Sequence, residues 1–210
     1  PINTNDPQGT KYPAGVDKNS LTKTVNRTIN YVYANGTQAQ TAPTAHKDSL
    51  TYTATVKVDK VTGKIVSGSK TWDQPKDFET ITSPTIKGYT PSRTSVTNKN
   101  VAYNSDSITE TVTYTPDDQK ITVNYIDDTT GKTTSKTIIG KSDDKSKYTT
   151  TSKITDYQNA GYELVSDETN GQPMTFDHDD NNDQTYTVHL KHGIETVTAD
   201  QDRQSGKTIN

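Results

Sequence analysis

The 210-residue chain is polar, with 27% hydrophobic residues, 23% charged residues and a formal net charge of −3. Its Leu, Ile, Val and Phe together stay below the roughly 20% level at which disorder becomes a serious reading, but the small net charge and a regular apolar alternation argue for a folded, thin-cored β-rich protein. The absence of cysteine excludes disulfide and thiolate chemistry, the scattered Lys and Arg give no nucleic-acid footprint, no apolar run approaches the ~18 residues of a membrane span, and no signal peptide opens the chain.

Residues 1–21, with Pro1, Pro7 and Pro13 among polar turn formers, read as a linker. Over 24–33, Val25, Arg27, Ile29, Tyr31 and Tyr33 share one parity, which predicts a strand ending at the Asn35-Gly36 hairpin signal. The next strand sets Leu50, Tyr52, Ala54, Val56 and Val58 against Thr51, Thr53, Thr55 and Lys57. A turn over 59–63 predicts a return strand from Lys64 to Trp72. Asp73–Thr82 is expected to be a short helix, with Pro75 in its first turn and Phe78 and Ile81 as an apolar pair. Strands resume at 86–90 and 107–115, and Pro116-Asp117-Asp118 closes a first module.

A second module follows at once. Lys120–Ile126 alternates, 127–131 turns, Lys132–Ile139 returns, and 142–145 is an irregular acidic approach to a helix over 150–159. Ile154 and Tyr157 mark the inner face of that helix, and Gly161 suits a left-handed cap just past its end. Strands are predicted at 162–166 and 184–191, and 194–210 reads as linker again.

The landmarks recur. Ile29–Tyr33, Gly88-Tyr89 and Thr111–Thr115 are answered by Val123–Asp127, Gly161-Tyr162 and Thr185–His189, which indicates two related modules, 22–116 and 117–193. Pro1-Ile2-Asn3 also resembles Thr208-Ile209-Asn210, as though cut from a tandem array. Hairpin, helix, strand, strand is the order of a β-grasp, so the expected fold class is α+β and β-rich: two tandem β-grasp (ubiquitin-like) modules in an elongated arrangement, the first with a shrunken helix.

No nucleophile elbow, HExxH or phosphate-cradling glycine loop is present, so no catalytic residue is assigned and a non-enzyme is expected. The acidic run Asp177–Asp183 admits two readings, a solvated turn or a calcium loop; it lacks the sixth-position glycine and twelfth-position glutamate of an EF-hand, which favours the turn. His46, His178, His189 and His192 lack convergent cysteine or carboxylate partners in the sequence, so no metal and no cofactor is expected. Trp72 reads as core, with sugar stacking as the sharper alternative, and Tyr103 and Tyr148, set in loops, are candidates for sugar or protein contact.

Lys120–Lys132, Gly161–Asp167 and Asp183–His192 resemble the mucin-binding domain of the Mub repeats found in surface adhesins of gut lactobacilli. Leu21–Val25, Arg27–Tyr33, Lys60–Lys64 and Ile86–Pro91 resemble the other half of such a repeat. The resemblance implies an extracellular, cell-wall-anchored adhesin repeat, with export and anchor signals outside this segment. It would act multivalently with neighbouring repeats of the same chain and be monomeric as an isolated repeat. Mucin glycoproteins are the implied partners and immunoglobulins a further class; a purely structural spacer is the alternative. By the same resemblance the protein-binding surface is a strand edge, for which Thr51, Thr53, Thr55 and Lys57 are the expected residues.

Overall fold

The structure is a computed structural model and describes residues 8–34, 36 and 40–209. Asn35 of the Asn35-Gly36 signal and the Pro1-Ile2-Asn3 and Asn210 ends of the tandem hint lie outside the described residues. The chain divides into two compact units, Pro1–Thr115 and Pro116–Asn210. It is β-rich with few helices.

The first unit contains β1 (Thr22–Tyr33), β2 (His46–Thr55), β3 (Thr71–Trp72), β4 (Ile81–Thr82), β5 (Tyr89–Pro91), β6 (Ser95–Val96) and β7 (Ile108–Pro116). Five of these form a sheet in the order β3-β2-β1-β7-β5, with β1 antiparallel to β2 and parallel to β7. The parity read from the sequence is the observed one, since Val25, Arg27, Ile29 and Tyr31 are buried in β1 and Tyr52 and Ala54 in β2. Tyrosines do much of the filling because a ring supplies apolar area and its hydroxyl can still find a partner. Tyr114 reaches across to donate to the Pro84 carbonyl at 2.6 Å, and Tyr52 donates to that of Val101.

Two expectations fail in this unit. Residues 73–82 form no helix: Lys76 pairs with Val101, the Phe78 N–H donates to Asn98 O at 2.9 Å, and β4 pairs with β6. Arg27 supplies the physical reason. Only 1% exposed, it clamps Asp48 through Nε and Nη2 at 2.9 and 2.5 Å, donates to Asn98 Oδ1 at 3.2 Å and to the Glu79 carbonyl at 2.8 Å, and lies 4.5 Å from the centre of the Phe78 ring. A buried guanidinium needs its donors satisfied, and an extended segment presents Glu79 O and Phe78 to it together. The return strand over 64–72 also shrinks, to a Val58–Ile65 bridge and the two residues of β3, because the chain turns at 66–69 through the left-handed Gly68.

The second unit contains β8 (Asp118–Asp127), β9 (Thr133–Lys141), α1 (Thr151–Asn159), β10 (Tyr162–Asp167) and β11 (Gln184–His192). The sheet order is β10-β11-β8-β9, with β8 antiparallel to β9 and parallel to β11, so the parallel central pair of the first unit recurs. Ile121, Val123, Tyr125, Val188 and Leu190 of the sheet pack with Ile154 of α1 and with Met174 and Phe176. Tyr125, Tyr157, Tyr162 and His192 continue as a chain of ring contacts 5.1–5.8 Å apart. The helix falls where its Ile154/Tyr157 spacing and the glycine after it place it, and Gly161 has φ +99°. Gly140 of β9 answers a different need, because a Cβ there would stand 2.2 Å from the Phe176 ring.

Candidate functional site

A concave surface lies in the second unit, between the edge strand β9 and the segment 144–156. Lys136 of β9 has the parity of Thr134 and Ile138, opposite Val123, so it rises from the core-facing side of the sheet rather than its back. There it meets Tyr148, with Nζ 5.9 Å from the ring centre. Tyr148 is half-buried, packs against the core and shares a 2.5 Å hydroxyl–hydroxyl bond with Tyr125. Burial first, and then this bond, pushes the Tyr125 hydroxyl far above the ordinary phenol range, so it stays a neutral partner at physiological pH.

Two open clefts share Lys136 and Tyr148. One, about 360 Å³, is lined by Tyr125, Thr134, Ser135, Ser152, Lys153 and Asp156 as well. The other, about 530 Å³, continues along β9 past Gly140 to Lys141 and faces Asp144–Lys147 and Phe176. Together they form a groove with a tyrosine ring midway and hydroxyls and ammonium groups along its walls. Such a lining suits a sugar, whose apolar ring face stacks on an aromatic while its hydroxyls bond to polar side chains. A cleft of about 450 Å³ on the other side of α1, at Ile154, Leu164 and Gly171, has no aromatic ring in its lining.

The expected site residues distribute unevenly. Tyr148 is in the groove. Tyr103, in the first unit, stacks face to face on Trp72 at 5.0 Å and 8°, with Lys23 Nζ 5.4 and 5.3 Å from the two rings and Lys70 Nζ 5.2 Å from Trp72. The two readings of Trp72 therefore meet: it packs against the Val25–Tyr52–Phe78–Val101 cluster and remains half-buried. Thr51, Thr53, Thr55 and Lys57 are exposed as expected. The strand edge beside them is not open, however. The Thr53 N–H donates to Asp73 Oδ2 at 2.9 Å, its carbonyl accepts from the Asp73 N–H at 3.0 Å, and the Thr51 carbonyl accepts from Lys76 Nζ at 2.6 Å. This corrects the expectation of an unpaired edge: Asp73, Lys76 and β3 cover it, and covering is a standard way of blunting a sheet edge.

The acidic run is bound up in its own turn. Asp179 accepts from the Asn181 N–H and from Asn182, Asp180 accepts from Gln119 at 2.6 Å, and Asp183 pairs with Lys120 at 3.4 Å. Each histidine lies against an aspartate: His46 with Asp48, His178 with Asp143, His189 with Asp128 and His192 with Asp127. Among the described residues no group of three or more His, Cys, Asp or Glu could hold a metal ion, and no helix is long and apolar enough to cross a membrane. Lys136, Lys147, Thr134 and Ser152 are the functional candidates that sequence reasoning missed; Ser135 has the opposite parity and donates to Asn124 Oδ1 at 2.6 Å on the back of the sheet. The available signal was a lysine on the apolar parity of β9.

Residues 119–192 match the profile of the mucin binding domain family, and residues 16–118 match that of the Muc B2-like domain. The chain belongs to the mucin-binding domain family, a family of adhesion domains rather than enzymes. Among solved structures it is similar to Mub-RV, with 33% identity over 51% of this chain and 59% of that one and a TM-score of 0.41. It is also similar to the type 2 repeat of the mucus binding protein MUB from Lactobacillus reuteri, with 35% identity over 46% of this chain and 50% of that one and a TM-score of 0.37. The MucBP domain of an adhesion protein from Pediococcus pentosaceus aligns at 32% identity over 45% of this chain and 98% of its own length, with a TM-score of 0.34. The match to Mub-RV thus spans less than two thirds of that chain. No curated protein matches.

Proposed function

We propose that the chain is a non-catalytic repeat of an extracellular bacterial adhesin, and that its second unit contacts mucin glycans through the groove flanking Tyr148. The observation that carries this reading is a half-buried tyrosine ring between two open clefts, with hydroxyl and ammonium groups on their walls, inside the segment that matches the mucin binding domain family. Each unit is read as a β-grasp variant. The order β9-β8-β11-β10 with a parallel central pair and one helix supports this for the second unit, and β2-β1-β7 supports a version without its helix for the first. The boundaries proposed for the modules remain 22–116 and 117–193, with monomeric repeats anchored to the cell wall through signals elsewhere in the protein.

The test is a titration of isotope-labelled chain with mucin-derived glycopeptides, followed by NMR. Shifts should concentrate at Thr134–Lys136, Asp144–Tyr148 and Ser152–Asp156. Shifts confined to Trp72 and Tyr103 would move the site to the first unit, and no shift at any concentration would favour the structural spacer. Immunoglobulin binding by strand addition at β2 is a second proposal, and it requires the partner to displace Asp73 and Lys76 from the edge.

A further inference from the structure

In each unit the long opening strand and the last strand are neighbours that run the same way. β1 pairs with β7 from Arg27–Ile108 to Tyr33–Tyr114, and β8 pairs with β11 from Ile121–Gln184 to Asp127–Leu190. Tension that enters a unit at the start of its opening strand and leaves at the end of its last strand therefore pulls the two along their common axis in opposite directions. In that direction the bonds of the ladder are loaded together, because a parallel pair carries evenly spaced bonds along its length. An antiparallel pair pulled at its adjoining ends, such as β8 and β9 at Asp118 and Lys141, instead opens one bond at a time. None of the four strands is at a sheet edge: β1 lies between β2 and β7, β7 between β1 and β5, β8 between β11 and β9, and β11 between β10 and β8. Core residues cover the inner face of each ladder, Ile29, Tyr31, Val112 and Tyr114 in one and Ile121, Val123, Tyr125, Val188 and Leu190 in the other. That cover limits the access of water to the bonds before they part, and a bond broken without a replacement is costly.

We infer that each unit is a load-bearing clamp that holds its fold under tension applied along the chain. The chain passes from β7 to β8 through Asp117 alone, so the strand that ends one clamp leads directly into the strand that begins the next. In the first unit Arg27 stands at the entry of the ladder and ties β1 to Asp48 of β2 and to the Glu79 carbonyl, which opposes withdrawal of β1. Forced unfolding is governed by the unfolding rate and not by the equilibrium stability, so a thin core does not prevent a unit from resisting force. The use of this property in holding a cell against flow rests on the adhesin reading; the property itself does not.

The experiment pulls single molecules of the intact chain in an optical trap. The chain has no cysteine, so introduced cysteines are its only thiol attachment points. Lys120→Cys/Lys191→Cys loads β8 against β11 in shear, and Lys120→Cys/Lys141→Cys unzips β8 from β9. All three lysine side chains are exposed, and matching urea midpoints by circular dichroism verify that the two variants fold alike. The shear pair should rupture at severalfold higher force than the unzipping pair at the same loading rate. Equal forces would overturn the clamp. The chain without substitutions, held by handles at its two ends, should lengthen in two abrupt steps, at ~3.3–3.6 Å per residue released between Thr22 and Pro116 and between Asp118 and His192. Gradual lengthening at low force would overturn the clamp independently of the cysteine variants. Abrupt steps in a chain that fails to bind mucin support the clamp and count against the adhesin reading alone.

Discussion

Arg27 is the residue on which the first unit turns. It joins β1, β2 and the 77–98 region by bonds to Asp48, Glu79 O and Asn98, and its burial leaves water no access to replace them. Removing one partner of a buried ion pair typically costs ~3–5 kcal/mol, so Arg27→Ala should destabilise the first unit by about that amount. Trp72, the only tryptophan, lies in this unit, and its fluorescence during urea unfolding reads the change. The Arg27 side chain, then His46, holds the Asp48 carboxyl below its ordinary value against a smaller opposing effect of burial. Because the folded value is depressed, the stabilisation is complete above the unfolded value of ~3.9 and is lost as pH falls through the folded one. The Trp72 unfolding midpoint should therefore drop below about pH 4, and Asp48→Asn should lower it at neutral pH and flatten that acid limb. In the second unit Asp167 behaves alike for a different reason: burial pushes its carboxyl up, but bonds from Thr150, Thr169 and the Gly171 N–H outweigh this and leave it lowered.

At the scale of elements, β9 serves structure and surface together. Gly140 lets the Phe176 ring lie against the strand, and the groove runs over the same contact. Gly140→Ala should displace the ring and cost ~1–3 kcal/mol by overpacking, seen as a lower thermal midpoint of the second unit by circular dichroism with the Trp72 signal unchanged. The covered edge of β2 makes the opposite kind of prediction. Asp73→Ala removes the carboxylate that accepts from the Thr53 N–H while the Asp73 N–H stays on the Thr53 carbonyl, so an immunoglobulin domain that adds a strand there and takes the freed Thr53 N–H should bind the variant more tightly than the parent, measured by surface plasmon resonance. Equal binding would assign any immunoglobulin contact to another surface.

For the whole molecule, an open groove with a shallow floor implies weak binding per repeat. Adhesion strength then arises from linked repeats, whose effective concentration can raise avidity by ~10²–10⁴ without a new contact. A tandem of several copies should hold a mucin-coated surface far longer than one copy in a flow assay. Equal retention would count against multivalent action.

The sequence by itself determined the elements whose cause is local or periodic. Alternation marked β1, β2, β8 and β11 because a half-buried strand exposes every second residue, and Gly161 marked the end of α1 because only glycine adopts the left-handed turn freely. The likeness of the two modules was legible for the same reason, since each opens with an alternating strand and closes with another that pairs beside it in parallel. What tertiary structure decided was everything that depends on a distant partner. Residues 73–82 carry a helical spacing, but Arg27, some fifty positions earlier, draws their backbone into an extended path. Tyr103 meets Trp72, Asp73 covers Thr53, and Lys136 and Lys153 come to line one cleft with Tyr148 only once the strand edge and the helix face each other. A period reports which way a side chain points, and a binding surface depends on what the rest of the chain brings to meet it.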